Sequence, residues 1–220
     1  MADDPIANDL IAKDIVELAR RVAAAGLVVG AGGNVSARTG PDEILITPSG
    51  RRLDQLDPAE LVAIRLDGAP VPASATTNAP SSESPMHLAA HRARPDLGFV
   101  VHAHPVKVNL LAATGRPIRL ITLDHAYYVR RLASVPYLAS GSDELATSVA
   151  QQLEDANVVV LAHHGCLVVA PDADLAFERV VNLEAAATAT FGALLLGDTA
   201  TVCPPEYLAR VEARQASERR

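Results

Sequence analysis

The chain has 220 residues, 49% hydrophobic and 20% charged, which suits one globular domain with a sizeable core and excludes a wholly disordered protein. Its formal net charge of −7 argues against nucleic acid as the main partner, because phosphate backbones call for a basic face. Two cysteines are too few for a disulfide framework, no apolar run reaches the roughly 18 to 20 residues of a membrane span, and residues 1–5 are acidic rather than signal-like, so a cytoplasmic protein without membrane contact is expected.

Ile6, Leu10, Ile11, Ile15, Leu18 and Val22 recur at helical spacing and predict a first helix to about Ala25, stopped by Gly26. Strands are expected over residues 34–38 and 43–47, split by Thr39-Gly40-Pro41-Asp42, and over 61–66. Residues 68–80, rich in Pro, Ala, Ser and Thr, read as a loop. Ser81 or Ser82 can cap a helix from Glu83 to Arg94, with Pro85 tolerated in its first turn. A buried strand over 98–102, a helix over 106–113 and a strand over 119–123 follow. Ser142 caps a helix reaching about Glu154, and residues 158–162 and 166–169 form two strands hinged at Gly165. A long Ala-rich helix spans 172–196, Pro204 or Pro205 opens a last one, and the Arg-rich end from Arg210 reads as a solvated helix end. With no internal repeat and no long linker, this order predicts one α/β domain whose sheet has considerable antiparallel content and helices around it.

Two histidine motifs carry the chemical signal. In a strand, His102 and His104 point to the same face and can offer two imidazoles to one ion. The neighbours His163 and His164 point to opposite sides, so one of them is free to be a third ligand. Three neutral imidazoles with an open fourth position suit catalytic zinc, and also iron, cobalt or manganese; the alternative is a set of satisfied core or interface histidines.

Three polar loops accompany them. Gly30-Ala31-Gly32-Gly33-Asn34-Val35-Ser36 lets backbone amides approach a ligand, although it precedes a strand and so matches neither a Rossmann nor a Walker loop. Thr47-Pro48-Ser49-Gly50 and Pro80-Ser81-Ser82-Glu83 offer hydroxyls and free amides suited to phosphate oxygens. Each alone is also an ordinary turn, and Glu83 alone is also a capping residue.

Taken together and in this order, Gly-Asn-Val-Ser, Thr-Pro-Ser-Gly, Pro-Ser-Ser-Glu, His-Ala-His and His-His-Gly resemble the class II aldolase/adducin family, and within it the branch that cleaves fuculose-1-phosphate, from about Leu10 to about Leu196. The resemblance implies a single-domain three-layer α/β/α fold with a central, largely antiparallel sheet. It also implies bound Zn2+ and a homotetramer with active sites at subunit contacts. Carried over by residue, it places the metal on His102, His104 and His164 and the acid/base role on Glu83. It assigns substrate phosphate to Asn34, Ser49, Gly50, Ser81 and Ser82, with Gly33 contributing its backbone.

The implied reaction is cleavage of a phosphorylated ketose to dihydroxyacetone phosphate and an aldehyde through a metal-stabilised enediolate. The alternative on the same fold is decarboxylation of a keto acid; an epimerase or dehydratase of sugar phosphates, or a non-catalytic adducin-like interaction module, fits less well. One departure stands out. The branch uses a tyrosine from a neighbouring subunit as proton donor, and the ungapped alignment puts Leu123 there, so Tyr128 is the replacement candidate, with Tyr127 and His125 as competitors or simple interface residues.

Overall fold

The structure, a computed structural model, describes residues 5–71 and 76–218, so the expectations for residues 1–4, for 72–75 of the loop and for the last two arginines lie outside it. Helix α1 (Pro5–Ala24) buries Ile15, Leu18, Ala19 and Val22. It ends as Gly26 predicts. The Leu27 amide bonds the Val22 carbonyl at 3.2 Å and the Gly26 amide bonds the Ala23 carbonyl at 3.0 Å, a pair of bonds that needs the left-handed φ of +71° at Gly26.

Strands β1 (Asn34–Arg38) and β2 (Glu43–Ile46) form a hairpin, and β3 (Val62–Arg65) pairs antiparallel with β2. After α2 (Ser84–Ala93), strand β4 (Phe99–Ala103) pairs antiparallel with β1, setting His102 opposite Asn34. Helices α3 (Val106–Ala113) and α4 (Leu123–Tyr128) lead to strand β5 (Leu132–Val135) and helix α5 (Asp143–Leu153). Strands β6 (Val158–Leu161) and β7 (Gly165–Ala170) then precede α6 (Ala173–Leu195) and α7 (Pro205–Glu218). The sheet runs β3-β2-β1-β4-β7-β6-β5, antiparallel throughout except for the β5–β6 edge.

Alternation along the strands divides the core. Val35, Ala37, Val101, Ala103 and Val168 pack with α1, α3 and α6 on one face. Val100, Val159, Leu161, Leu167 and Val169 pack with α2 and α5 on the other. The result is the three-layer α/β/α arrangement with a mostly antiparallel sheet. A smaller cluster joins β2 and β3 to Leu88 of α2. Among the described residues no helix is long and apolar enough to cross a membrane.

Four details depart from the sequence-based expectations. Residues 119–123 are not a strand: Arg119 N–H bonds Thr190 Oγ1 at 2.9 Å, and the Leu120 carbonyl accepts from Cys203 N–H at 2.7 Å, so α6 and the C-terminal segment take the groups a strand would pair. Thr122 then caps α4, a helix too short to leave a periodic signal. The missed strand β5 is an edge strand whose Leu-Ala-Ser-Val sequence carries little β-propensity and is held by pairing with β6. The β6–β7 turn lies at residues 162–164, where His164 N–H bonds Leu161 O at 3.1 Å, and Gly165 opens β7 rather than forming the hinge.

Candidate metal centre

The tight β6–β7 turn decides which of the paired histidines faces inward. His163 takes a left-handed φ of +60°, uncommon for a side chain with a Cβ, and is exposed with its ring 6.3 Å from Tyr137. His164 turns back over the end of β4, its carbonyl held by Asn109 Nδ2 at 3.1 Å. Its ring centroid lies 4.7 Å from that of His102 and 5.4 Å from that of His104. The expected i, i+2 pair is likewise together, with ring centroids 4.7 Å apart. Gly165 makes room: a Cβ there would sit 2.3 Å from the Ala103 carbonyl and 2.7 Å from His104 Cδ2.

Glu83, buried at the N-terminus of α2, completes the group. Its Oε2 lies 3.0 Å from His102 Nε2 and its Oε1 lies 2.9 Å from His164 Nε2. One ligand atom from each of Glu83, His102, His104 and His164 falls within 4.8 Å of the others.

The chemistry of this donor set fits a cation. His102 Nδ1 is 2.9 Å from the Cys166 carbonyl, which can only accept, so Nδ1 carries the hydrogen and Nε2 presents a lone pair. That lone pair faces the Glu83 carboxylate and also His104 Nε2 at 2.8 Å. A positive ion among them turns lone-pair repulsion into coordination. Burial, with the neighbouring His102 and His164 rings, lowers His104 to about 4, which leaves it neutral and able to ligate near pH 7. Burial pushes the Glu83 carboxyl up, but the adjoining His102 and His164 rings and the Asn34 N–H outweigh it and hold the group well below the usual carboxylate range. By contrast, burial raises the Cys166 thiol to about 12, so it is an inert core side chain.

The phosphate-type loops meet beside this centre. Ser49 N–H bonds Ala79 O at 3.0 Å and Ser81 N–H bonds Thr47 O at 3.2 Å, bridging the two segments so that Ser49 and Gly50 lie next to Ser81 and Ser82. The bridge uses the Ser49 and Ser81 amides, leaving Ser49 and Ser82 exposed. Ser81 Oγ instead accepts from Glu83 N–H at 3.3 Å and thereby serves the start of α2. Gly33 holds φ +79°, and a Cβ there would lie 2.6 Å from Val28 Cγ1 and 2.9 Å from the His102 carbonyl. Asn34 turns its side chain toward Glu83 and His87: its Nδ2 donates to Glu83 Oε2 at 2.9 Å and its Oδ1 contacts His87.

Tyr128 is the last residue of helix α4. Helix α4 packs on α6 and α7, and Arg179 Nε donates to the Tyr128 carbonyl at 3.2 Å. His125 is occupied at the same helix start, its Nδ1 accepting from Thr122 N–H at 3.3 Å while its own N–H bonds Thr122 Oγ1. Sequence reasoning missed Ser140, whose hydroxyl donates to Glu83 Oε1 at 2.7 Å from the loop before α5. Nothing local marks that serine. It also missed His87 and His91, for which a signal existed: they follow Glu83 at helical spacing.

Residues 13–191 match the family described as "Class II Aldolase and Adducin N-terminal domain". An L-fuculose phosphate aldolase of Methanocaldococcus jannaschii is 31% identical over 84% of this chain and 97% of its own length. A 5-methylthioribulose-1-phosphate/5-deoxyribulose-1-phosphate aldolase of Escherichia coli is 35% identical over 71% of this chain and 72% of its own length. A solved structure of an L-fuculose 1-phosphate aldolase superposes with a TM-score of 0.84 at 26% identity, covering 93% of this chain and 96% of that one. The chain therefore belongs to the class II aldolase/adducin family, among whose members it resembles the L-fuculose phosphate aldolases.

Proposed function

We propose that this chain is a divalent-metal aldolase, with zinc as the metal, cleaving a phosphorylated ketose of the fuculose-1-phosphate kind to dihydroxyacetone phosphate and an aldehyde. The observation that carries the reading is Glu83 held by His102 and His164 at the rim of a three-imidazole cluster. When bound by His102, His104 and His164, the metal supplies Lewis-acid polarisation of substrate oxygens. Glu83, kept ionised, takes and returns the proton at the hydroxymethyl carbon as the carbon–carbon bond breaks or forms. Ser49, Ser81 and Ser82 hold the phosphate with hydroxyls, Gly50 and Gly33 with backbone amides, and Asn34 with its second amide hydrogen. Fixing the phosphate fixes the reacting carbon beside Glu83 and lowers the entropic barrier.

Tyr128 donates the second proton across a subunit contact in a homotetramer. Support comes from α4, which leaves Leu123 and Tyr127 exposed and available to a neighbouring copy. A cytoplasmic setting fits the two free, buried cysteines.

The test is dihydroxyacetone phosphate in deuterated water with metal-loaded protein, followed by NMR without any aldehyde. The wild type exchanges one hydroxymethyl proton stereospecifically, and Glu83→Gln keeps its metal but slows exchange by about 10²- to 10⁴-fold. No exchange by the metal-loaded wild type would sink the aldolase reading and leave keto-acid decarboxylation as the reaction to assay.

A further inference from the structure

Two periodicities meet beneath Glu83. Glu83, His87 and His91 follow at i, i+4 and i+8 along the start and length of α2, so they share one helix face and advance about 6 Å per step. Asn34 and Ser36 alternate along β1 on the sheet face opposite Val35 and Ala37, advancing about 6.7 Å per two residues. Because the two steps nearly match, a helix laid along the strand can meet it side chain for side chain.

Here the contacts form an unbroken line. Asn34 Nδ2 reaches Glu83 Oε2 at 2.9 Å and Asn34 Oδ1 contacts His87 Nε2. His87 Nδ1 lies 2.7 Å from Ser36 Oγ, which lies 2.9 Å from His91 Nε2. All five side chains are buried.

We propose that this hydrogen-bonded line is a positioning device for Glu83, with His87 as its central residue, in which every member donates toward the carboxylate. The direction follows from one end. An ionised Glu83 can only accept, so Asn34 must give it the amide N–H and turn its oxygen to His87. His87 must then carry its hydrogen on Nε2, leaving Nδ1 to accept from the Ser36 hydroxyl. Ser36, its hydrogen spent on His87, accepts from Nε2–H of His91. The far end agrees: His91 Nδ1 is buried without a partner, tolerable for a bare acceptor and costly for an orphaned N–H.

Burial holds both rings below the ordinary histidine range, so they are neutral and each has a single tautomer to keep. What His87 prevents is rotation of the Asn34 amide, which would set an oxygen against the carboxylate and release Glu83 from its plane. The role of His87 as a positioning residue for catalysis rests on the reading of Glu83 as the acid/base.

The decisive measurement is independent of turnover. Proton–nitrogen NMR of protein labelled with 15N-histidine, recorded between pH 6 and 8, should contain, besides the ring of His125 whose Nδ1 accepts from Thr122 N–H, two neutral imidazoles protonated on Nε2, those of His87 and His91. One should vanish in His87→Gln and the other in His91→Gln, while His102 appears with the opposite, Nδ1–H tautomer. An Nδ1–H or doubly protonated ring at His87 or His91 would overturn the proposal, whatever the enzyme's reaction.

Hydroxymethyl proton exchange in the same protein supplies the second arm. His87→Leu should lower its kcat about 10- to 100-fold with metal content and KM little changed, and His87→Gln, which restores a donor and an acceptor, should recover most of the loss. Equal losses in the Leu and Gln variants, or no loss in Leu, would reduce His87 to packing. Should His87→Leu fail to fold, Ser36→Ala takes its place: it should dissolve the single tautomer of His87, and an unchanged spectrum would refute the line. A wild type that exchanges no proton yet has both Nε2–H rings would remove the aldolase reading and leave the hydrogen-bonded line standing.

Discussion

Strand β1 serves two regions built on different physics. Val35 and Ala37 enter the apolar cluster with α1, α3 and α6, whereas Asn34 and Ser36, on alternate positions, enter the polar seam with Glu83, His87 and His91. On the apolar side each contact is non-directional, so losing one leaves a cavity and little else. On the polar side each group specifies the orientation of the next, and a missing member leaves a buried donor or acceptor unpaired. The seam persists because it is narrow: α2 sends Met86 and Ala90 into one apolar cluster and Leu88 into another, so the polar residues lie between two greasy flanks.

The comparison is most sharply tested at the metal cluster. His102→Ala should abolish stoichiometric metal binding, measured by elemental analysis, and lower turnover by about 10³-fold or more, since Glu83 loses a partner and the metal loses a ligand. Unchanged metal content would mean that the cluster is a satisfied polar core and not a metal centre.

On the opposite face, Leu183→Ala should lower the unfolding free energy by about 2–5 kcal/mol in a urea titration while metal content and kcat of the folded fraction stay as they were. A loss of metal in this variant would show that the two faces are coupled.

The smallest effect is one of pH. Burial, aided by Arg38, holds His91 at about 3 against an ordinary 6.5. The unfolded chain therefore takes up a proton that the folded chain refuses, so the stability associated with neutral His91 is complete above about pH 6.5 and is lost as pH falls toward 3. The slope is about 1.4 kcal/mol per pH unit for one such group. His91→Gln should flatten the fall in unfolding free energy, read from urea titrations between pH 6.5 and 5, by about that slope, and an unaltered slope would place the acid sensitivity elsewhere.

How much of the site could be read beforehand depended on range in sequence. The pair His102 and His104 is local, since i and i+2 on a strand must share a face. Glu83, Ser49, Gly50, Ser81 and Ser82 sit in short loops that each read alone as ordinary turns and were set apart only by their joint order along the chain, and the Pro48–Pro80 bridge brings those loops side by side. Spacing left His163 and His164 equivalent; the family resemblance named His164, and the left-handed turn at His163 is what aims it inward. Ser140 reaches Glu83 across 57 positions, and Ser36 reaches His91 across 55, so no window of sequence contains either contact. The segment 119–123 misled for a related reason: its Leu-Ile-Thr-Leu composition suits a strand, but its partners are Thr190 and Cys203.

By itself, the sequence determined the longer helices, the alternation that splits the strands into two faces, and residue types suited to a cation and to phosphate oxygens, because these depend on spacings within one or two turns of chain. The tertiary structure decided which histidine turns inward, which groups hold Glu83, and that Asn34 faces the carboxylate. Those outcomes depend on how α2 lies across β1 and how the β6–β7 turn closes over β4, and packing between distant elements is fixed only when the whole core forms.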